Sequence, residues 1–189
     1  MFRFAVIGEI GSGKSYVAKQ FGCPVFNADF EVSKLYKKDK KCFLKIKKAL
    51  PNHITSFPVR KSELSRAIIS NKSNLKKIIK IIHPKIRKKM NNFIKKNKNK
   101  RIVVLDIPLL IENRINKKSD IIIFVDASKK EIKRRLKKRK DFNPKIISIL
   151  KKFQLPVEEK KRKSDFIIKN NFNNSVKKNV KKVLGDIFK

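Results

Sequence analysis

The chain has 189 residues, 40% of them hydrophobic and 35% charged, with 52 Lys and Arg against 15 Asp and Glu for a formal net charge of +37 at pH 7. That length and apolar content imply a globular domain with a real core and exclude a disordered chain, and no apolar run reaches the ~20 residues that span a bilayer. Two cysteines, Cys23 and Cys42, and two histidines make neither a disulfide framework nor a zinc-binding set, and no signal-peptide pattern is present, so a soluble, reducing, cytoplasmic setting is expected.

The first predicted element is an apolar, β-leaning run at residues 2–7. Residues 8–15 follow it as Gly-Glu-Ile-Gly-Ser-Gly-Lys-Ser, the G-x-x-x-x-G-K-S pattern, and residues 16–21 read as a helix. Gly8, Gly11 and Gly13 lack a Cβ, so the backbone around Ser12 can wrap a phosphate at close range. Its N–H groups form an anion nest at the positive end of the helix that Tyr16 enters. Lys14 then reaches the β- and γ-phosphates, and the Ser15 hydroxyl is placed to ligate Mg²⁺.

A second β-leaning run covers residues 24–27 and leads into Asn27-Ala28-Asp29. The mostly helical stretch from about residue 30 to 97 is too long for a crossover and reads as an inserted subdomain. Within it, Leu75, Ile78, Ile79, Ile82, Ile86, Met90, Phe93 and Ile94 recur at helical spacing, and Pro84 is expected to kink or split that helix after His83. Runs at 102–107 and 121–125 read as further strands. Residues 129–155, dense in Arg and Lys, read as a smaller insert in which Asn143-Pro144 starts a helix to about residue 153. A fifth run at 165–168 precedes a last helix capped by Ser175, with Val176, Val180, Val183, Leu184 and Ile187 as its apolar stripe. Short apolar runs separated by helices imply parallel strands buried on both faces, an α/β doubly wound architecture with ligands at the carboxyl ends of the strands.

Further segments line up with the phosphate loop. They are Asn27-Ala28-Asp29, His83-Pro84-x-Ile86, Pro108-Leu109-Leu110-Ile111-Glu112-Asn113, Arg134-Arg135-Leu136-x-x-Arg139, Gln154-Leu155-Pro156-x-Glu158-Glu159-Lys160 and Ser164-Asp165-Phe166-Ile167-Ile168-x-Asn170. In this order, over nearly the whole chain, the set resembles the dephospho-coenzyme A kinase family; the PLL-x-E-N and Q-x-P-x-E-x-K segments are its most specific parts. The resemblance implies transfer of phosphate from ATP, with Mg²⁺, to the ribose 3′-hydroxyl of dephospho-coenzyme A. It also implies a nucleoside-monophosphate-kinase-like P-loop fold: a five-stranded parallel sheet with helices on both faces, a helical acceptor-binding insert and a lid. The matching segments would be a nucleotide-binding core at 1–29, 98–128 and 156–189, an acceptor subdomain at 30–97 and a lid at 129–155.

By the same resemblance Asp29 is the catalytic base. A carboxylate at the end of a strand beside the phosphate loop would orient the acceptor hydroxyl and take its proton late, and Asp29 would also suit a helix N-cap. Arg135 and Arg139, four apart, would share a helix face, with Arg139 contacting the ATP phosphates. Asp106 resembles a Walker-B acid holding Mg²⁺ through water, or is a local structural carboxylate. His83, Arg87, Leu109 and Glu112 join Asp29 on the acceptor side. For His83 a packed core position is the alternative, and for Glu112 pairing with a cation. Four residues depart from the family pattern: Glu9 and Phe172 stand near usual glycines, Tyr16 replaces Thr, and Asn27 replaces the first Asp of D-x-D.

Three rival readings remain. Another P-loop small-molecule kinase, such as a nucleoside monophosphate kinase, would find phosphate clamps in Arg60, Arg66 and Arg87, but PLL-x-E-N weighs against it. A regulatory GTPase lacks its guanine-reading N-K-x-D, because Asn116-Lys117-Lys118-Ser119-Asp120 has one residue too many. A nucleic-acid binder rests on charge alone. The lysines are spread along the chain, and with two Tyr and no Trp there is little to stack bases. Nonspecific adherence to polyanions at low salt is expected instead, with no specific nucleic-acid, membrane or obligate protein partner.

Overall fold

Val-, Ile- and Phe-rich runs bury both of their faces only inside a layered sheet; the runs at 3–8, 102–106 and 121–126 do so here, whereas Val25 is half-buried and Ile167 is exposed on the two edge strands. The computed structural model of the chain describes residues 1–139, 142–172 and 175–189. Strands β1 (Phe2–Gly8), β2 (Val25–Asn27), β3 (Ile102–Asp106), β4 (Ile121–Asp126) and β5 (Phe166–Lys169) form one parallel sheet in the order β2-β3-β1-β4-β5. The helices are α1 (Lys14–Gln20), α2 (Ala28–Lys38), α3 (Lys40–Ala49), α4 (Lys61–Ser70), α5 (Ser73–Lys96), α6 (Lys129–Lys137), α7 (Pro144–Lys151), α8 (Val157–Arg162) and α9 (Ser175–Ile187). The α/β class and the five-stranded parallel sheet are as the sequence implied.

The chain divides into two compact units. One comprises Met1–Asn27, Asn97–Asn143 and Leu150–Lys189; the other comprises Ala28–Lys96 and Pro144–Ile149. In the first, Phe4 and Val6 of β1 join Val104, Ile123, Val125 and Ile168 in a core against Val17 and Ala18 of α1 and Val176, Val180 and Val183 of α9. The alternate residues Ala5, Val103, Leu105 and Phe124 point to the opposite face and are equally buried. Lys161 of α8 lies over the Phe124 ring there, 5.9 Å from its centroid. Arg3 and Asp120, both buried, make a two-pronged ion pair with contacts of 2.9 Å, and Asp120 also accepts from the Lys117 N–H. Burial raises the pKa of Asp120 against the opposing influence of Arg3 and Lys117. The segment one residue too long for guanine recognition thus ends on a structural carboxylate.

In the second unit α5 is the spine, with Leu75, Ile78, Ile82, Ile86 and Met90 buried against α2, α3 and α4. Asp39 caps α3 by accepting the Cys42 N–H at 2.8 Å, and its other oxygen takes Lys85 of α5 at 2.7 Å. Contrary to the sequence expectation, Pro84 does not split α5, which runs unbroken from Ser73 to Lys96. Pro84 is exposed, so solvent can serve the backbone carbonyl that proline leaves without a donor, while the buried stripe of α5 continues on either side of it.

Candidate functional site

The sheet order fixes where a ligand can sit. From β1 the chain winds out to β2, returns to β3 beside β1, then crosses to β4 on the other side. The crevice at the carboxyl end of β1 is therefore the switch point of the sheet, and residues 8–15 occupy it. At Gly13 φ is 86°, and a Cβ there would lie 2.3 Å from Asn170 Nδ2 and 2.8 Å from the Phe172 ring. At Gly8 a Cβ would meet the Val125 carbonyl oxygen at 2.7 Å. Glycine is required at both places because neighbouring chain fills the space a side chain would take.

Around this loop the side chains are already engaged. Lys14 Nζ donates to the Glu9 carbonyl at 2.8 Å and to the Gly8 carbonyl at 3.3 Å, which folds the ammonium back over the loop. Ser12 Oγ is buried and, among the described residues, has no hydrogen-bond partner. A buried hydroxyl in that condition is suited to an incoming anion. Ile132 and Leu136 of α6 pack against Gly11, 3.0–3.2 Å from where its Cβ would stand. Tyr16 is exposed in the first turn of α1.

The carboxyl ends of β2 and β3 bring a second group to the loop. Asn27 and Asp106 are register partners, and Asp106 is 2% exposed. One carboxylate oxygen of Asp106, Oδ2, accepts from both Ser15 Oγ and Asn27 Nδ2 at 2.5 Å, and Asn27 Nδ2 lies 3.2 Å from Ser15 Oγ. A hydroxyl and a carboxylate side by side are hard oxygen donors of the kind Mg²⁺ takes. Among the described residues no group of three His, Cys, Asp or Glu could hold a metal ion unaided. The pair therefore fits a cation that brings most of its ligands with it.

Asp29 lies in the first turn of α2 and is exposed; because the helix begins at Ala28, Asp29 is inside it rather than at its N-cap. His83 is half-buried on α5, where burial, and then the charge of Arg87, lowers its pKa. Arg87 is exposed one turn further along. Leu109 adopts φ 59° in the turn after β3, and its carbonyl accepts both the N–H and the side-chain amide of Asn113 at 3.0 and 2.8 Å. Glu112 is engaged within its own unit: Lys160, 3% exposed, pairs with its Oε1 at 2.9 Å, and the Leu155 N–H donates to the same oxygen at 3.1 Å. Gln154 Nε2 reaches the Gly8 carbonyl at 3.5 Å. The two most distinctive sequence segments are thus one structural joint behind the phosphate loop.

The shared helix face expected of Arg135 and Arg139 is not formed. Helix α6 ends at Lys137, so Arg135 is in its last turn and Arg139 lies beyond it, exposed, its N–H bonded to the Leu136 carbonyl at 3.1 Å. Past the last helical turn, a spacing of four residues no longer brings two side chains onto one face. Arg135 instead stacks on the Phe172 ring, 3.9 Å from its centroid. Sequence reasoning missed the role of Asn170, which is fully buried, donates from Nδ2 to the Ser12 carbonyl at 2.8 Å and accepts the Phe172 N–H at 3.0 Å. It also missed Lys160 as the partner of Glu112 and Asn27 as that of Asp106; the only available signal was that each sits in a motif.

Comparison with known proteins agrees with this geometry. The family model for dephospho-CoA kinase matches residues 3–176. Dephospho-CoA kinases of Wolbachia sp. subsp. Brugia malayi (strain TRS) and Bartonella quintana (strain Toulouse) are 36% and 39% identical over 166 residues, covering 85% of this chain and 85% of theirs. Among solved structures, TT1252 from Thermus thermophilus superposes with a TM-score of 0.81 at 23% identity, covering 100% of this chain and 98% of that one. Dephospho-CoA kinase from Campylobacter jejuni gives 0.62 at 23% identity, covering 98% and 96%. These two likenesses are of fold.

Proposed function

The chain belongs to the dephospho-CoA kinase family and acts as an ATP-dependent kinase on dephospho-CoA, and from that premise we propose how its own residues transfer phosphate to the ribose 3′-hydroxyl. Gly8, Gly11, Ser12 and Gly13 cradle the nucleotide phosphates with backbone N–H groups and the Ser12 hydroxyl, which is without a partner among the described residues. Lys14, now folded on the Gly8 and Glu9 carbonyls, swings its ammonium to the β- and γ-phosphates, and Arg139 adds a further cation there. Ser15 would hold Mg²⁺ directly and Asp106 through water; when bound, the ion neutralises charge on the phosphate oxygens.

Asp29, two residues beyond Asn27, orients the acceptor hydroxyl and takes its proton late in the transfer. His83 and Arg87 serve the acceptor side, as do Leu109 and Glu112 through the turn they shape. The division we propose is core at 1–29, 98–128 and 156–189, acceptor subdomain at 30–97 and lid at 129–155, the lid including residues 140 and 141 outside the described set; compactness alone groups Ala28, Asp29 and Pro144–Ile149 with the helical unit. No helix among the described residues is long and apolar enough to cross a membrane. Both cysteines are free, in keeping with a reducing cytoplasmic setting, and the partner is the small molecule dephospho-CoA.

The observation that carries this reading is the meeting of Ser15 and Asp106 at the mouth of a loop whose glycines have no room for side chains. ADP release with dephospho-CoA as acceptor tests it. Lys14→Ala and Asp29→Asn should each lower turnover by about 10²–10³, the usual loss when a transition-state contact is removed. Turnover within threefold of native in Asp29→Asn would remove Asp29 from the chemistry.

A further inference from the structure

We propose that Asn27 is a positioning residue that keeps the cation site one negative charge short, so that a divalent ion binds only together with nucleotide phosphates. The inference rests on the kinase reading above and deepens it. The register of β2 on β3 sets Asn27 directly beside Asp106. The Asn27 amide donates to Asp106 Oδ2, the same oxygen that accepts Ser15 Oγ, and reaches Ser15 Oγ as well. One neutral side chain thereby holds both prospective cation-site residues in place, and it does so with a hydrogen bond rather than with an ion.

The charge balance follows from residue type. Asp106 supplies one negative charge and Ser15 a neutral hydroxyl, and among the described residues no third acidic or imidazole group completes a metal set. A hard dication that keeps several waters and meets a single carboxylate has little hold on the protein alone. Phosphate oxygens delivered on the glycine loop supply the missing charge. A carboxylate at position 27, by contrast, would face the Asp106 carboxylate across hydrogen-bond distance. That like-charged pair is relieved by a cation between the two groups, which the protein would then hold without nucleotide.

The test uses Mn²⁺ as probe, its free concentration read by electron paramagnetic resonance, with the separately measured binding of Mn²⁺ to ADP subtracted. Native protein should bind Mn²⁺ at least about tenfold more tightly with ADP than without it. Asn27→Asp should bind Mn²⁺ without nucleotide at least about tenfold more tightly than native, and Asp106→Asn in the same chain should abolish that gain. The proposal is overturned if native protein binds Mn²⁺ equally well with and without ADP, if Asn27→Asp brings no gain, or if the gain survives Asp106→Asn. Melting in EDTA checks that the variants fold; if Asn27→Asp does not, Asn27→Ala decides, weaker Mn²⁺ binding with ADP than native being the expected result and unchanged binding overturning the positioning role. Native ADP release with dephospho-CoA tests the kinase reading separately; success there with no gain in Asn27→Asp discards only the role of Asn27.

Discussion

Asn170→Ala is the substitution whose consequences the geometry defines most closely. The side chain is fully buried and serves two backbone groups, donating to the Ser12 carbonyl at 2.8 Å and accepting the Phe172 N–H at 3.0 Å. Alanine leaves both unpaired. A buried polar group without its partner costs about 1–3 kcal/mol, so the pair costs about 2–4 kcal/mol once water entering the vacated space offsets part of the loss. Asn170 is also the wall against which Gly13 is set, and without it the phosphate loop loses the support that keeps its N–H groups convergent. The KM for ATP should therefore rise by about tenfold, or 1.4 kcal/mol. Asn170→Asp separates hydrogen bonding from packing: it keeps the shape but turns an acceptor toward the Ser12 carbonyl, and should fall at least as far. Urea unfolding reports the first quantity as a lower midpoint at constant slope, and steady-state ADP release reports the second. Both variants within about 0.5 kcal/mol of native and with unchanged KM for ATP would refute the reasoning.

Three other substitutions have defined outcomes. Lys160→Met leaves the Glu112 carboxylate in a confined site without its cation and should cost about 3–5 kcal/mol in urea unfolding, partly restored by adding Glu112→Gln. Arg3→Met should cost a similar ~3–5 kcal/mol, because Asp120 is buried beneath it; calorimetric melting measures this. Glu63 gives a pH dependence. Burial alone would raise its pKa, but hydrogen bonds from Thr55, Ser56 and the Arg60 N–H outweigh burial and leave it below the ordinary 4.5. A depressed folded-state pKa gives stability that is complete above the unfolded value and is lost as pH falls through the folded one. Native stability should thus decline on the acid side of about pH 4.5. Glu63→Gln, weaker by about 1.5–3 kcal/mol at neutral pH, should show a shallower acid slope in urea titrations.

What could be read from the sequence was what is local in the chain. The phosphate loop carries its whole specification in eight consecutive residues, and each strand announced itself as a run of apolar side chains. The contacts that hold the site together span the chain instead. Asn27 and Ser15 meet Asp106 across 79 and 91 positions, and they do so only because the sheet runs β2-β3-β1. Glu112 and Lys160 stood in the two most distinctive segments, yet nothing in their spacing indicated an ion pair. Two local readings met a physical limit: α5 is not split at Pro84, and Arg135 and Arg139 do not share a helix face. Pro84 falls where α5 faces solvent, and Arg139 falls past the end of α6, where four-residue spacing no longer means a shared face.

The central claim is that the glycine loop presents ATP to one acceptor, dephospho-CoA, and that phosphate arrives on its ribose 3′-oxygen. Coupled ADP release over dephospho-CoA, adenylate and shikimate, with phosphorus NMR of the product, tests it most directly. Turnover with dephospho-CoA alone and a new 3′-phosphomonoester signal are the predicted result; turnover with adenylate or shikimate in its place would contradict it.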